Sequence, residues 1–129
     1  MGCRQTKRLD TAKHKGVHMK ESIKVLDECK DIQTKKGQDY QNTHSDIRQS
    51  DYYPRGCASI FDMMNTKMLR LKSIISAMEA DPTHKTNYES LEDSAKDLIN
   101  YASFFVEYYR GKMQGQDADR DALNRPCQK

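Results

Sequence analysis

The sequence predicts an all-α protein, a small antiparallel helical bundle of about three long helices that assembles as an oligomer. Three observations carry that expectation. Apolar residues recur three and four apart over three separate stretches. No stretch alternates apolar and polar residues with the two-residue period of a strand, and no internal repeat is present. Helix-breaking residues fall between the stretches, at Gly37, Pro54 with Gly56, Pro82 and Gly111. The 129 residues are 36% hydrophobic and 32% charged, without tryptophan, so a single domain with a modest core is expected. Three helices of this size bury limited area, which is why a homodimer or higher oligomer is part of the expectation.

Residues 1–18 have no apolar periodicity and read as a disordered basic arm. They hold Arg4, Lys7, Arg8, Lys13 and Lys15 against Asp10, a charge of +4. The other residues hold 17 basic and 18 acidic groups, so the net +3 belongs to the arm. A nucleic-acid-binding fold would carry its charge on a folded face instead. Gly2 and Thr6 fit the M-G-x-x-x-[ST] acylation pattern, with Cys3 as a second membrane signal; the alternative is a plain arm upstream of a start at Met19.

The bundle domain is expected over 19–112. Helix one spans Met19 to Lys36, with Ile23, Leu26, Cys29 and Ile32 as its apolar side and Gly37 as its C-cap. Residues 38–56 form a long polar connector, functional or mobile, whose Asp39, Tyr40, Tyr52, Tyr53 and Arg55 suit a small ligand. Helix two spans Ala58 to Glu79. Its Phe61, Met64, Met68, Leu71, Ile75 and Met78 form a coiled-coil-like seam, which Ile60, Leu69 and Ile74 widen, more suited to packing than to a cofactor. Lys67 and Arg70 lie one turn apart on it. Helix three begins near Asn87 or Ser90 and ends near Arg110, with Leu91, Ala95, Leu98, Ala102, Phe105 and Tyr109 as its buried stripe. Residues 113–129 contain few apolar side chains and should fray into a disordered tail.

Helix three carries a second row: Glu89, Asp93, Asp97, Asn100 and Tyr101. An acidic row on a helix is ordinarily a solvated face. Phe104 and Tyr108 continue on the Asp97 side, which argues for partial cover, and a covered carboxylate needs a cation or a donor. Carboxylates one turn apart suit a hard cation such as Mg²⁺. Other chemistries are disfavoured. There is no G-x-x-x-x-G-K-[ST], G-x-G-x-x-G or G-x-S-x-G segment. Cys3, Cys29, Cys57 and Cys127 make no CxxC pair, and His14, His18, His44 and His84 make no ligand-spaced set, so a zinc site is not expected. Reduced thiols suit a cytoplasmic protein, and no apolar run is long enough to span a bilayer.

Three segments, in order, resemble the phage and bacterial family called nucleotide modification associated domain 1: KKGQDY (Lys35–Tyr40), MMNTKMLRLKSI (Met63–Ile74) and YESLEDSAKDLINYA (Tyr88–Ala102). The matching positions are Lys36, Asp39 and Tyr40; then Lys67, Arg70 and Leu71; then Glu89, Ser90, Asp93, Asp97, Leu98, Asn100 and Tyr101. The resemblance covers residues 35–102, and Gln41 departs from the family's usual glycine. A more distant similarity is to the MazG-like all-α nucleoside triphosphate pyrophosphatases. Those carry a Glu-Glu-x-x-Glu motif on the preceding helix, where this chain has Lys67 and Arg70.

The resemblances imply a phage-type protein of nucleotide metabolism in the host cytoplasm, a Mg²⁺-dependent (d)NTP pyrophosphohydrolase. Glu89, Asp93 and Asp97 would hold Mg²⁺, and Lys67 and Arg70 would serve catalysis by neutralising phosphate charge. Lys36, Asp39, Tyr40, Asn100 and Tyr101 would bind the nucleotide. The alternative is a non-catalytic module that binds a nucleotide or a host protein.

Overall fold

The computed structural model describes residues 20–128. The arm over 1–18, with its acylation pattern, lies outside the described residues. The protein is all-α, built on three long helices: α1 (Glu21–Tyr40), α2 (Cys57–Ala80) and α3 (Leu91–Tyr109), with a single 3₁₀ turn at Gln49–Tyr52. Among the described residues the sole strand-like pairing is an isolated bridge between Arg120 and Pro126. No described helix is long and apolar enough to cross a membrane.

The bundle runs up, down and up, with α3 in contact with both other helices. Cys57 of α2 lies against the Phe105 carbonyl of α3, and Lys67 lies against Asp97, so α2 and α3 are antiparallel. Glu28 of α1 pairs with Lys96, and Gln33 bonds to Asn100 and Ser103, so α1 runs in the same direction as α3. The connector over 41–56 joins the end of α1 to the start of α2 at the same end of the bundle, and its 3₁₀ turn packs there.

Two helix ends differ from the expectation. Gly37 does not cap α1; it stays helical, and the helix continues to Tyr40. Glycine inside a helix costs about 1 kcal/mol relative to alanine. Tertiary contact offsets this: the Tyr40 ring meets the Tyr52 ring at 5.4 Å, and the Tyr52 hydroxyl donates to the Tyr40 carbonyl at 2.9 Å. At the start of α3, Ser90 is the N-cap. Its hydroxyl accepts from the Asp93 N–H at 3.0 Å, while the Asp93 carboxylate accepts from the Ser90 N–H at 3.2 Å. This reciprocal pair satisfies two amides that the helix leaves without partners.

The packed faces differ in part from the expected ones; on α3, Leu91, Ala95, Leu98, Ala102 and Phe105 are half-buried as expected. On α2, Cys57, Ile60 and Ile74 are buried, with Met64, Lys67 and Leu71 half-buried between them. Met64 and Leu71 of the expected seam lie in that stripe, with Ile60 and Ile74 from its widened edge, whereas Phe61, Met68 and Ile75 point outward at 58%, 55% and 45% exposure. On α3, the buried residues are Ser94, Asn100 and Tyr108, and Tyr109 is exposed. The helix has neighbours on two sides, so Glu89, Asp97, Asn100 and Tyr101 of the second row are partly or fully covered while Asp93 stays exposed.

The core sits at the end of the bundle where α2 begins and α3 ends. Cys57, Ile60, Tyr108 and Met113 form it, with Tyr53, Phe104, Phe105 and Ala122 around them. Met113 and Ala122 belong to the segment expected to fray, and that expectation is corrected here for residues 113–128. Met113 is only 3% exposed. The Cys57 N–H donates to the Ala122 carbonyl at 2.9 Å, and the Ser50 N–H donates to the Gln114 carbonyl at 3.0 Å. Gln116 donates to the Tyr108 carbonyl, and Asn124 donates to the Pro54 carbonyl. Gly56 lets this strap come close. Its φ is +60°, and a Cβ there would lie 2.8 Å from the Tyr108 ring and 2.9 Å from the Ala122 carbonyl oxygen.

Candidate functional site: a tyrosine-lined cleft and an ion-pair chain

A cleft of about 430 Å³ opens between α1, α3 and the connector. α1 contributes Gln33, Lys36, Gly37 and Tyr40, with Gln41 just beyond it. These positions share one helix face only because α1 runs past Gly37. The connector adds Gln49, Tyr52 and Tyr53, and α2 adds Met63. α3 supplies Asp97, Asn100, Tyr101 and Phe104.

The aromatic wall is continuous. Tyr101 and Phe104 meet edge to face at 5.9 Å, and Tyr53 meets Phe104 at 6.3 Å. Burial pushes the Tyr53 and Tyr101 phenols above their ordinary range, so both remain neutral donors at physiological pH. Asn100 is buried, and its carbonyl oxygen accepts from Gln33 Nε2 at 3.1 Å. Its amide nitrogen has no protein acceptor among the described residues. Gln49 is held by Glu107 at 3.0 Å. The site thus offers flat apolar surfaces edged with amide donors and acceptors, the chemistry that recognises a polar planar ring.

Behind the cleft runs a chain of ion pairs. Lys36 Nζ lies 3.5 Å from Asp97 Oδ1, and Lys67 Nζ lies 2.9 Å from Asp97 Oδ2. Lys67 Nζ is also 2.9 Å from Glu89 Oε2, and Arg70 Nε is 2.8 Å from Glu89 Oε1. The last contact is an ion pair rather than an aligned hydrogen bond, because the buried Nε finds no acceptor along its N–H direction. Lys67 and Asp97 are each only 16% exposed. Burial pushes the Lys67 ammonium down, but Asp97 and Glu89 more than offset this and hold it above its ordinary value. Burial likewise pushes the Asp97 carboxyl up, and the Lys67 ammonium, with Lys36 beyond, holds it below the ordinary carboxylate range.

Of the residues expected to bind a nucleotide, Lys36, Tyr40, Asn100 and Tyr101 line the cleft, and Asp97 joins them. Asp39 does not. It is exposed on the far side of α1, where its carbonyl accepts from the Asn42 amide. The expected metal set of Glu89, Asp93 and Asp97 is not assembled. Asp93 is held in the α3 cap, and the Lys67 ammonium lies between Glu89 and Asp97. Among the described residues no group of three His, Cys, Asp or Glu side chains is arranged to hold a metal ion. A cation at Glu89 and Asp97 would have to displace Lys67. Arg70, expected beside Lys67 in the same pocket, reaches Glu89 but faces a second cavity.

Gln33, Gln41, Gln49, Met63 and Phe104 were not singled out as ligand contacts from sequence. Gln33 and Tyr40 sit at helical spacing around Lys36, a signal hidden by reading Gly37 as a cap. Gln49 and Met63 carry no sequence signal, because only the tertiary fold brings them to the cleft. No family model, no curated protein and no solved structure matches this chain.

Proposed function

We propose that the tyrosine-lined cleft binds a nucleotide or nucleotide-like small molecule, and that the protein acts as a binding module. The observation that carries this reading is the company of Tyr40, Tyr52, Tyr53, Tyr101 and Phe104 with Gln33, Gln49 and Asn100 around one cleft. Base stacking on such rings is worth about 1–3 kcal/mol per base. The amides can read the edge of a base, and Lys36 at the rim suits a phosphate. The segments that resemble nucleotide modification associated domain 1 supply Lys36 and Tyr40 from α1 and Asp97, Asn100 and Tyr101 from α3, which supports a nucleotide over other planar ligands.

A second reading, Mg²⁺-dependent (d)NTP pyrophosphohydrolysis, has one observation in its favour. Asp97 lines the cleft, with Glu89, Lys67 and Arg70 behind it. This reading requires the cation to take the place of the Lys67 ammonium, which would then be free to face phosphate oxygens.

One experiment separates the two. Nucleoside mono- and triphosphates are titrated against the protein with and without Mg²⁺, with tyrosine fluorescence read for binding and released pyrophosphate for turnover. Binding without turnover, weakened by Tyr101→Ala, is the expected result. Turnover that needs Mg²⁺ and is lost in Asp97→Asn would establish the hydrolase instead. Neither binding nor turnover across the four common bases would sink both. The outward stripe of α2 further supports a second copy of this chain as a partner, which would form a four-helix contact between two α2–α3 pairs.

A further inference from the structure

The second cavity, about 320 Å³, lies between the latter half of α2 and the connector that leads into α3. Arg70, Ser73, His84, Lys85, Thr86 and Asn87 line it. Every one of these side chains can donate a hydrogen bond, and none is a carboxylate. The acids nearest in sequence are already engaged. Asp81 accepts from the Thr83 hydroxyl and N–H at 2.7 and 3.0 Å, and Glu89 is shared by Lys67 and Arg70. Lys85 makes no ion pair among the described residues, and His84 lies near Asp81 without a close ion pair to it.

Arg70 is the deepest cation there and is poorly satisfied. Its Nε is buried without an aligned acceptor, and its Nη2 reaches only the Glu89 carbonyl oxygen at 3.4 Å. The ion-pair chain that ends on it holds three cations, Lys36, Lys67 and Arg70, and two anions, Asp97 and Glu89. One positive charge is left over, and Lys85 adds another at the cavity mouth. Ile74 and Tyr88 complete the lining, and a concave, donor-rich surface with surplus positive charge is what an oxyanion needs.

We propose that this cavity is an anion site for a phosphate group, with Arg70 and Lys85 as its charged anchors and Ser73, Thr86 and Asn87 as neutral donors. The Nη groups of the guanidinium suit the oxygens of a tetrahedral anion, since Nη2 otherwise has only the long 3.4 Å contact to the Glu89 carbonyl. The volume exceeds that of a free phosphate ion, so it also admits the start of a phosphorylated small molecule. The site does not depend on what the tyrosine-lined cleft binds.

The test is a titration of the ¹⁵N-labelled full chain with inorganic phosphate at ionic strength held constant with chloride, followed by amide shifts. Saturable shifts at residues 84–87, absent when chloride alone is raised, are expected. Lys85→Gln removes an exposed, unpaired charge, so its melting temperature without phosphate should match wild type while its phosphate affinity falls about tenfold. Arg70→Lys keeps the charge against Glu89 but loses the fork, and should weaken phosphate by a similar factor. Two further arms separate the sources of the phosphate. Tighter binding of a 5′-nucleoside monophosphate than of orthophosphate assigns an ester, and equal binding assigns the free ion. The same shifts at 84–87 with the bare nucleoside, an unchanged affinity in both variants, or no saturable shift would overturn the site. Shifts confined to Asn100 and Tyr101 would also overturn it, while leaving the cleft reading intact.

Discussion

Asp97 touches both functional features, the cleft on one side and Lys67 on the other. Replacing it by Asn keeps the shape and removes the charge that Lys67 faces. Lys67 would still have Glu89, so the loss at neutral pH is expected to be about 1–2 kcal/mol, below the 3–5 typical of a fully stranded buried charge. The pH dependence follows from the signs. Asp97 titrates below its ordinary 3.8 when folded, so its contribution is present above that pH and is lost as pH falls through the lower folded value. Lys67 titrates above its ordinary 10.5, so its share is present below that pH and is lost as pH rises through the higher folded value. Chemical denaturation of wild type and Asp97→Asn should therefore show a gap that is flat across neutral pH and closes in acid. A gap that does not narrow as pH falls below 3.8 would contradict the ion-pair assignment. Ser94 makes the opposite prediction. Its hydroxyl is fully buried without a partner, so Ser94→Ala should leave stability unchanged or raise it by up to about 1 kcal/mol. A loss above that would reveal a bond, direct or through water, that the hydroxyl makes in solution. At this scale the sequence displayed which residue types were unusual, such as the acidic row with its amide and phenol. It could not display their partners, because Lys67 and Asp97 are thirty residues apart and on different helices.

The helices themselves were legible because each carries its own signal: three-and-four spacing, a Ser-x-x-Asp cap before α3, and a proline break after α2. The packed face of α2 was legible only in part. Its seam and its buried stripe share Met64 and Leu71 and part at Phe61 against Ile60 and Ile75 against Ile74, apolar on both sides, so periodicity alone could not choose between them. The strap after Gly111 was missed for a different reason. It is held by single apolar residues, Met113 and Ala122, and by backbone hydrogen bonds to the connector, and neither leaves a periodic trace. Its removal is therefore informative. Truncation after Lys112 takes Met113 out of the core and leaves the Cys57 and Ser50 amides without their acceptors. The melting temperature should drop by about 10 °C or more, given that 1 kcal/mol is worth roughly 4–8 °C in a domain of this size. An unchanged melt would mean that the strap does not pack on the bundle in solution.

For the molecule as a whole, the core at one end is small and the outer face of α2 is not. Phe61, Met68 and Ile75 repeat every seven residues and are exposed, with Leu69 beside them. Exposed apolar residues occur singly on most proteins, but a stripe two heptads long on one helix face is the form taken by an association surface. The basic arm over 1–18 carries no matching apolar repeat, so it is a poor cover for this face. A second α2 is a good one, since a two-fold axis near Met68 would set Phe61 of each copy against Ile75 of the other. Light scattering at tens of micromolar should accordingly give about twice the 15.0 kDa chain mass. Met68→Glu is the discriminating change. Met68 is more than half exposed in the single chain, so the substitution leaves the intrachain core alone and should shift stability by no more than about 0.5 kcal/mol in the monomer. In a dimer it sets two carboxylates against each other at the axis, and the mass should fall to that of one chain with helix content unchanged. A wild type that already scatters as one chain at that concentration would show that α2 keeps its stripe for another partner or for none.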